Sequence, residues 1–206
     1  MKTSAQIDCV RIGLMLALAL FAGGLAASPE VGQPAPDFSG VDTSGKSWSL
    51  GELKGKLVIL EWTNHDCPYV RKHYGAGNMQ AQQREAAAQD VVWLSVISSA
   101  PGKQGHVTPA QADELTQARD AAPHAVILDP QGTIGRAYGA KTTPHMYIID
   151  QTGQLVYMGG IDSIPSANPE DIPRATQYVR LALQELTAGS AVSAPVTRPY
   201  GCSVKY

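Results

Sequence analysis

The chain of 206 residues contains three cysteines, Cys9, Cys67 and Cys202. Cys9 lies in an N-terminal stretch with the marks of a removable leader, so the mature chain is expected to keep two. Two cysteines so far apart form either one structural bridge or a redox pair. Cys67 has the more informative surroundings, Trp62-Thr63-Asn64-His65-Asp66-Cys67-Pro68-Tyr69-Val70-Arg71. An apolar run ends just before it, and Pro68, well tolerated in a first helical turn, follows it. A sulfur at such a junction faces unpaired backbone N–H groups and the positive end of the helix dipole. Both favour the thiolate, the form that acts as a nucleophile. Arg71, one turn later, adds positive charge, and Asp66 opposes it. The competing reading is a buried inert cysteine or half of a static bridge.

The elements that would hold Cys67 there follow from pattern. Residues 31–38, with Pro34 and Pro36, read as an extended lead-in, and residues 41–50 as two short strands around Asp42-Thr43-Ser44-Gly45. Residues 57–62, Leu-Val-Ile-Leu-Glu-Trp, form a dense apolar run expected of a buried central strand. The helix from Pro68 is interrupted at Gly75 and Gly77 and resumes over 78–88. A second buried strand is expected at 91–97. Thr108 then N-caps a helix from Pro109 to about residue 120. A third strand at 125–128, a short helix at 133–138, a hairpin of 145–150 with 154–158, and a long last helix over 171–188 complete the domain. The tail, 189–206, has Pro195 and Pro199 and no clear periodicity, and reads as flexible. The alternation predicts an α/β layered domain with early parallel strands and a late antiparallel hairpin.

The compartment is read from the first residues. Lys2 and Arg11 precede the apolar run 12–21, and small residues follow at 22–27. That order is the signature of a secretory signal peptide, and the run is shorter than the ~20 apolar residues a membrane span needs. Cleavage after Ala26 or Ala27 leaves one domain of ordinary size at 28–188 and the tail at 189–206. The expected location is exported, in the periplasm or cell envelope, with no stable membrane insertion after cleavage. The net charge of −2, with no basic stripe, argues against nucleic acid as a partner. No dinucleotide or phosphate-binding motif is present, so no cofactor is expected.

Asn64-His65-Asp66-Cys67-Pro68-Tyr69-Val70 after a strand, together with Thr142-Thr143-Pro144 before a hairpin strand, resembles the thioredoxin-fold redoxins. This is the group related to alkyl hydroperoxide reductase and thiol-specific antioxidant proteins. The tail Gly201-Cys202-Ser203-Val204-Lys205 is similar to the closing Gly-Cys-Ser-Ile-Lys of some members. The resemblance implies a thioredoxin-like fold with a central mixed sheet flanked by helices. It also implies a cis Pro144 facing Cys67 and presenting the Thr143 backbone to a bound thiol substrate. The chain departs from the family in two places. Redox-active thioredoxins carry Cys-x-x-Cys, whereas Asn64 stands three before Cys67. Peroxiredoxins carry Thr three before their reactive Cys and a Pro further upstream, whereas here Thr63 is four before and Leu60 holds the proline position. Thr63 or Asn64 remains a candidate donor to the sulfur or to a peroxide oxygen.

Cys202 is the candidate resolving thiol, since a sulfenic acid on Cys67 would condense with it to a disulfide. A permanent staple between the two is the rival. Other residues carry weaker readings. His65 and His73 flank Cys67 without a recognised metal spacing and are expected as solvated loop residues. His145 is expected to begin a strand and Trp62 to pack in the core. Glu61 is either a buried proton relay or a surface carboxylate. Three functions follow. The first is an exported thiol oxidoreductase acting on a hydroperoxide or disulfide, with an external thiol reductant. The second is a non-catalytic binding module with a Cys67–Cys202 brace. The third is a copper-handling protein using Cys67 with His65 or His73. The first is favoured.

Overall fold

The computed structural model describes residues 28–206, so the expected signal peptide lies outside the described residues. Seven strands form one mixed sheet: β1 Ser39–Asp42, β2 Ser47–Ser49, β3 Val58–Trp62, β4 Val92–Ile97, β5 Ala125–Leu128, β7 His145–Ile149 and β8 Leu155–Gly159. Their order is β2-β1-β5-β4-β3-β7-β8. A two-residue strand, β6 Thr142–Thr143, lies outside this sheet and pairs with the tail strand β9 Cys202–Ser203. The helices are α1 Pro68–Gly75, α2 Asn78–Ala87, α3 Pro109–Ala118, α4 Thr133–Ala137 and α5 Tyr178–Thr187. Among the described residues no helix is long and apolar enough to cross a membrane.

The apolar runs in the sequence become the centre of the sheet. β3 is buried at every residue and runs parallel to β4 and antiparallel to β7, with Leu60 opposite Leu94 and Tyr147. Alternation along these strands divides the core into two layers. Ile59, Trp93, Met146 and Ile148 face α1, α2 and α5, where Val70, Met79, Ala86, Val179 and Leu183 meet them. Leu60, Trp62, Leu94, Val96 and Tyr147 face the other way, against Ile134, Tyr138 and Phe38. α3 starts with a full capping box between Thr108 and Gln111 and covers Ile97 and Val126 through Ala112 and Leu115.

Two expectations are corrected. The helix expected over 171–188 begins only at Tyr178; residues Pro169–Arg174 form a 3-10 segment capped by the Asn168 side chain. Pro173 inside that segment has no N–H to donate and cannot extend an α-helical ladder. The tail is not a free arm: besides the β6–β9 pairing, the Met158 N–H donates to Pro195 O (3.0 Å) and the Thr197 N–H to Met158 O (3.1 Å).

Candidate active site

Cys67 is the N-cap of α1, with extended backbone angles and Pro68 in the first turn. Its N–H donates to Asn64 O (3.1 Å), and its carbonyl accepts from the Arg71 N–H (2.9 Å). The chain thus turns sharply out of β3, and the sulfur lands at the open start of the helix. The Thr143–Pro144 bond is cis, as the resemblance implied. It brings the Thr143 carbonyl to the sulfur, and the Cys67 thiol donates to it at 3.0 Å. From the other side comes the tail. Thr143 is in register with Cys202 and Thr142 with Ser203, and the Cys202 N–H points at Cys67 Sγ at 3.4 Å.

Gly201 is what permits this approach. Its φ is +140°, and a Cβ at that position would lie 2.0 Å from the Thr143 carbonyl oxygen. Only a residue without a side chain brings the tail so near the cis-proline turn. The result is a sulfur with 0% exposure and a second, part-exposed sulfur beside it, both free thiols.

The two thiols differ in acidity. Burial pushes Cys67 up, but hydrogen bonds from the Cys202 thiol and N–H, the Thr143 side chain and the Val70 N–H outweigh it. Cys67 therefore titrates below the ordinary thiol value. The Thr143 carbonyl pulls the other way, because it accepts only from the protonated thiol. Cys202 is pushed up to about 11 by burial, by its hydrogen bond to Cys67 and by the negative charge that sulfur carries. Cys67 is thus the more acidic of the two sulfurs and Cys202 the less acidic.

The remaining residues singled out in the sequence lie around this pair rather than on it. Asn64 fixes the loop: its Oδ1 accepts from the Asp66 N–H (2.9 Å) and its Nδ2 donates to Gln104 O (3.3 Å). Thr63 Oγ1 is buried without a hydrogen-bond partner and borders a cavity of about 30 Å³ shared with His65, Tyr74, Ser95 and Arg119. Arg71 turns to the surface and donates to His65 O (3.0 Å) and Asp66 Oδ1 (2.9 Å). Trp62 is a core residue, its indole N–H donating to Ser98 Oγ (3.0 Å). His145 begins β7 and is buried, with burial and the nearby Lys141 pushing it down to about 3.

His73 corrects the expectation of a solvated histidine: it is fully buried in α1. Arg180 donates to Asn78 Oδ1 (3.1 Å), which orients that amide so that its Nδ2 donates to His73 Nδ1 at 2.8 Å. The proton of the neutral ring is therefore on Nε2, which faces Tyr200 Oη at 3.2 Å. Burial is the main reason His73 falls to about 4; Asp162 raises it and Lys72 lowers it. With His73 so engaged, it is not paired with Cys67 as a metal ligand. Among the described residues no group of three His, Cys, Asp or Glu side chains is placed to hold a metal ion.

Two clusters escaped the sequence reading. Glu61 is fully buried and accepts from Tyr74 Oη (2.9 Å), Trp93 Nε1 (2.9 Å), Ser95 Oγ (2.9 Å) and Gln83 Nε2 (3.3 Å). Asp162 is fully buried too, paired with Lys72 Nζ (3.1 Å) and hydrogen-bonded by the Tyr200 hydroxyl. The only sequence trace of the second cluster is the position of Tyr200, two residues before Cys202.

Comparisons with known proteins bear on the family and the fold. The sequence model of the AhpC/TSA family matches residues 31–158. The thioredoxin-like protein YneN of Bacillus subtilis (strain 168) is 31% identical over 125 residues, covering 60% of this chain and 68% of the relative. An uncharacterized conserved protein from Geobacillus kaustophilus superposes with a TM-score of 0.75 at 22% identity, over 86% of this chain and 92% of its own. A hypothetical protein from Sinorhizobium meliloti 1021 gives the same TM-score and identity over 87% and 96%. The chain belongs to the AhpC/TSA family of thioredoxin-like redox proteins.

Proposed function

We propose that the protein is an exported thiol–disulfide oxidoreductase in which Cys67 is the nucleophile and Cys202 the resolving thiol. The observation that carries this reading is the antiparallel pairing of Thr143 with Cys202, which sets the second thiol against the first. A static brace would need no acidity difference between its sulfurs, whereas exchange chemistry uses one: a thiolate attacks and the lower-pKa sulfur leaves faster. Disulfides are favoured over hydroperoxides as substrates because none of Thr63, Asn64 and Arg71 is hydrogen-bonded to the sulfur: Asn64 and Arg71 are engaged with the loop, and Thr63 Oγ1 has no partner. Export is supported by the charged, apolar and small-residue order of the first 27 residues.

In the cycle, the tail strand lifts from Cys67 and the Cys67 thiolate attacks one sulfur of a substrate disulfide. A Cys67–substrate mixed disulfide forms and one substrate thiolate leaves. Cys202 then gives up its proton and attacks the Cys67 sulfur, forming Cys67–Cys202 and releasing the second substrate thiolate. The substrate gains two electrons and the protein loses two. An external dithiol donor returns them by the reverse exchange.

The test is the second-order rate of the pre-reduced mature protein with a small disulfide and with hydrogen peroxide, alongside Cys67→Ser and Cys202→Ser. The expected result is exchange lost with Cys67→Ser and stalled at a mixed disulfide on Cys67 with Cys202→Ser. Rates with both oxidants equal to those of an unstructured thiol peptide would overturn the reading.

A further inference from the structure

Tyr200 ties the tail to the body of the domain through charges that are otherwise out of reach of solvent. Its hydroxyl donates to Asp162 Oδ1, accepts from Lys72 Nζ at 3.3 Å and lies 3.2 Å from His73 Nε2. Lys72, His73 and Asp162 have fully buried side chains. The Tyr200 ring meets Tyr69 edge-on at 5.7 Å between centroids. Tyr69, Lys72 and His73 all belong to α1, the helix whose first residue follows Cys67, and Gly201 alone separates Tyr200 from Cys202. The clasp and the reactive sulfur are therefore two ends of one short lever.

We infer that Tyr200 is a positioning residue: clasped to Asp162, Lys72 and His73, it holds Cys202 against Cys67 and so sets how readily the two sulfurs form a disulfide and how acidic Cys67 is. This rests on the functional reading above. The tail is anchored to the body as far as Thr197, and the clasp at Tyr200 orders the few residues beyond that anchor before the sulfurs meet. The same placement delivers the Cys202 N–H to the Cys67 sulfur, where it favours the thiolate. A burial of Lys72 and Asp162 that served only stability would be an inefficient device, since apolar packing of equal volume does as well. Orienting a thiol-bearing tail is a use that apolar packing serves poorly.

The experiment compares wild type with Tyr200→Phe, which keeps the ring against Tyr69 and removes only the hydroxyl. The first readout is the equilibrium protein dithiol + oxidised glutathione ⇌ protein disulfide + two reduced glutathione. The second is the pH profile of Cys67 alkylation by iodoacetamide, with the site assigned by peptide mapping. Tyr138→Phe is the control, because it removes another core-tyrosine hydroxyl, one that donates to Pro36 O (2.7 Å), far in sequence from both cysteines. The expected result is a roughly tenfold smaller equilibrium constant for Tyr200→Phe, equivalent to about 30 mV, with the Cys67 profile moved to higher pH. Tyr138→Phe should move neither. Unchanged values in Tyr200→Phe, or equal shifts in Tyr138→Phe, would overturn the inference. Should wild type form no Cys67–Cys202 disulfide at all, the functional reading fails, while the alkylation profile still decides whether the clasp acts on Cys67.

Discussion

Glu61 and Asp162 are both fully buried carboxyl groups, yet they are satisfied in opposite ways. Glu61 sits on β3 and accepts only from neutral donors: a tyrosine, a tryptophan, a serine and a glutamine, all from the sheet and the α1–α2 layer. Asp162 faces a lysine, a histidine and a tyrosine that comes from the tail. The first cluster joins elements that already pack against each other. The second joins the body of the domain to the C-terminal tail. Buried polarity in this molecule thus does two jobs: it stiffens the sheet beneath the active site, and it brings the second sulfur to it.

Substitutions separate these jobs. Glu61→Leu orphans three buried donors at once, Tyr74 Oη, Trp93 Nε1 and Ser95 Oγ, each costing about 1–3 kcal/mol, while Gln83 Nε2 keeps Tyr74 Oη as its acceptor. The expected loss is on the order of 5 kcal/mol in urea unfolding, spread over the whole domain. A loss below about 1 kcal/mol would mean the cluster is not the scaffold described. Asp162→Ala leaves the Lys72 ammonium buried without its partner, and breaking such pairs costs about 3–5 kcal/mol. Here hydrogen exchange is expected to be fastest in residues 199–206, with the amides of β3 and β4 protected to the end. Uniform loss of protection would erase the distinction between the two carboxyls.

The pH dependence sharpens the same contrast. His73 has a folded pKa of about 4 and His145 of about 3, both below the ordinary histidine value of 6.5. Between those values the unfolded chain binds more protons than the folded one, so stability rises with pH. The contribution is complete above about 6.5 and is lost as pH falls toward 4 and then 3, at about 1.4 kcal/mol per unit per group. His73→Gln should flatten the upper part of that decline; an unchanged slope between pH 6.5 and 4 would contradict the neutral, buried His73. A smaller effect is expected from Gly201→Ala, which places a Cβ against the Thr143 carbonyl. It should move the Cys67 alkylation profile to higher pH, in the same direction as Tyr200→Phe, by lifting the Cys202 N–H from the sulfur, with a midpoint of unfolding changed by only a few degrees.

How far the site was legible depends on the distance between its parts. The turn from β3 through Cys67 into α1 is written locally: an apolar run, a polar break, then Pro68. The cis-proline turn was legible only through resemblance, because Thr-Thr-Pro alone does not choose an isomer. Resemblance singled out Cys202, but the docking of the tail was not legible. Its partners lie 128 residues away at Lys72 and 38 at Asp162, and two residues of strand carry no periodicity. His73 misleads for a related reason: a histidine near the Cys67 loop reads as solvated, and only a tertiary partner reverses that. The apolar face that predicts the last helix starts only at Tyr178, and the stretch before it, which contains Pro173, has no such face and forms the 3-10 segment instead. Glu61 stood in the apolar run in plain view, and what was missing was the set of donors that makes its burial tolerable.

The central claim is that Cys67 and Cys202 are one redox pair. Its most direct test is a single-turnover reaction of the reduced mature protein with one equivalent of a small disulfide, followed by acid quench and mass spectrometry of the peptides. A redox pair loses two hydrogens from the protein, releases both halves of the substrate as thiols, and yields a Cys67–Cys202 linked peptide as the product. A protein that stops as a stable adduct on one cysteine, with the other thiol still free, would contradict it.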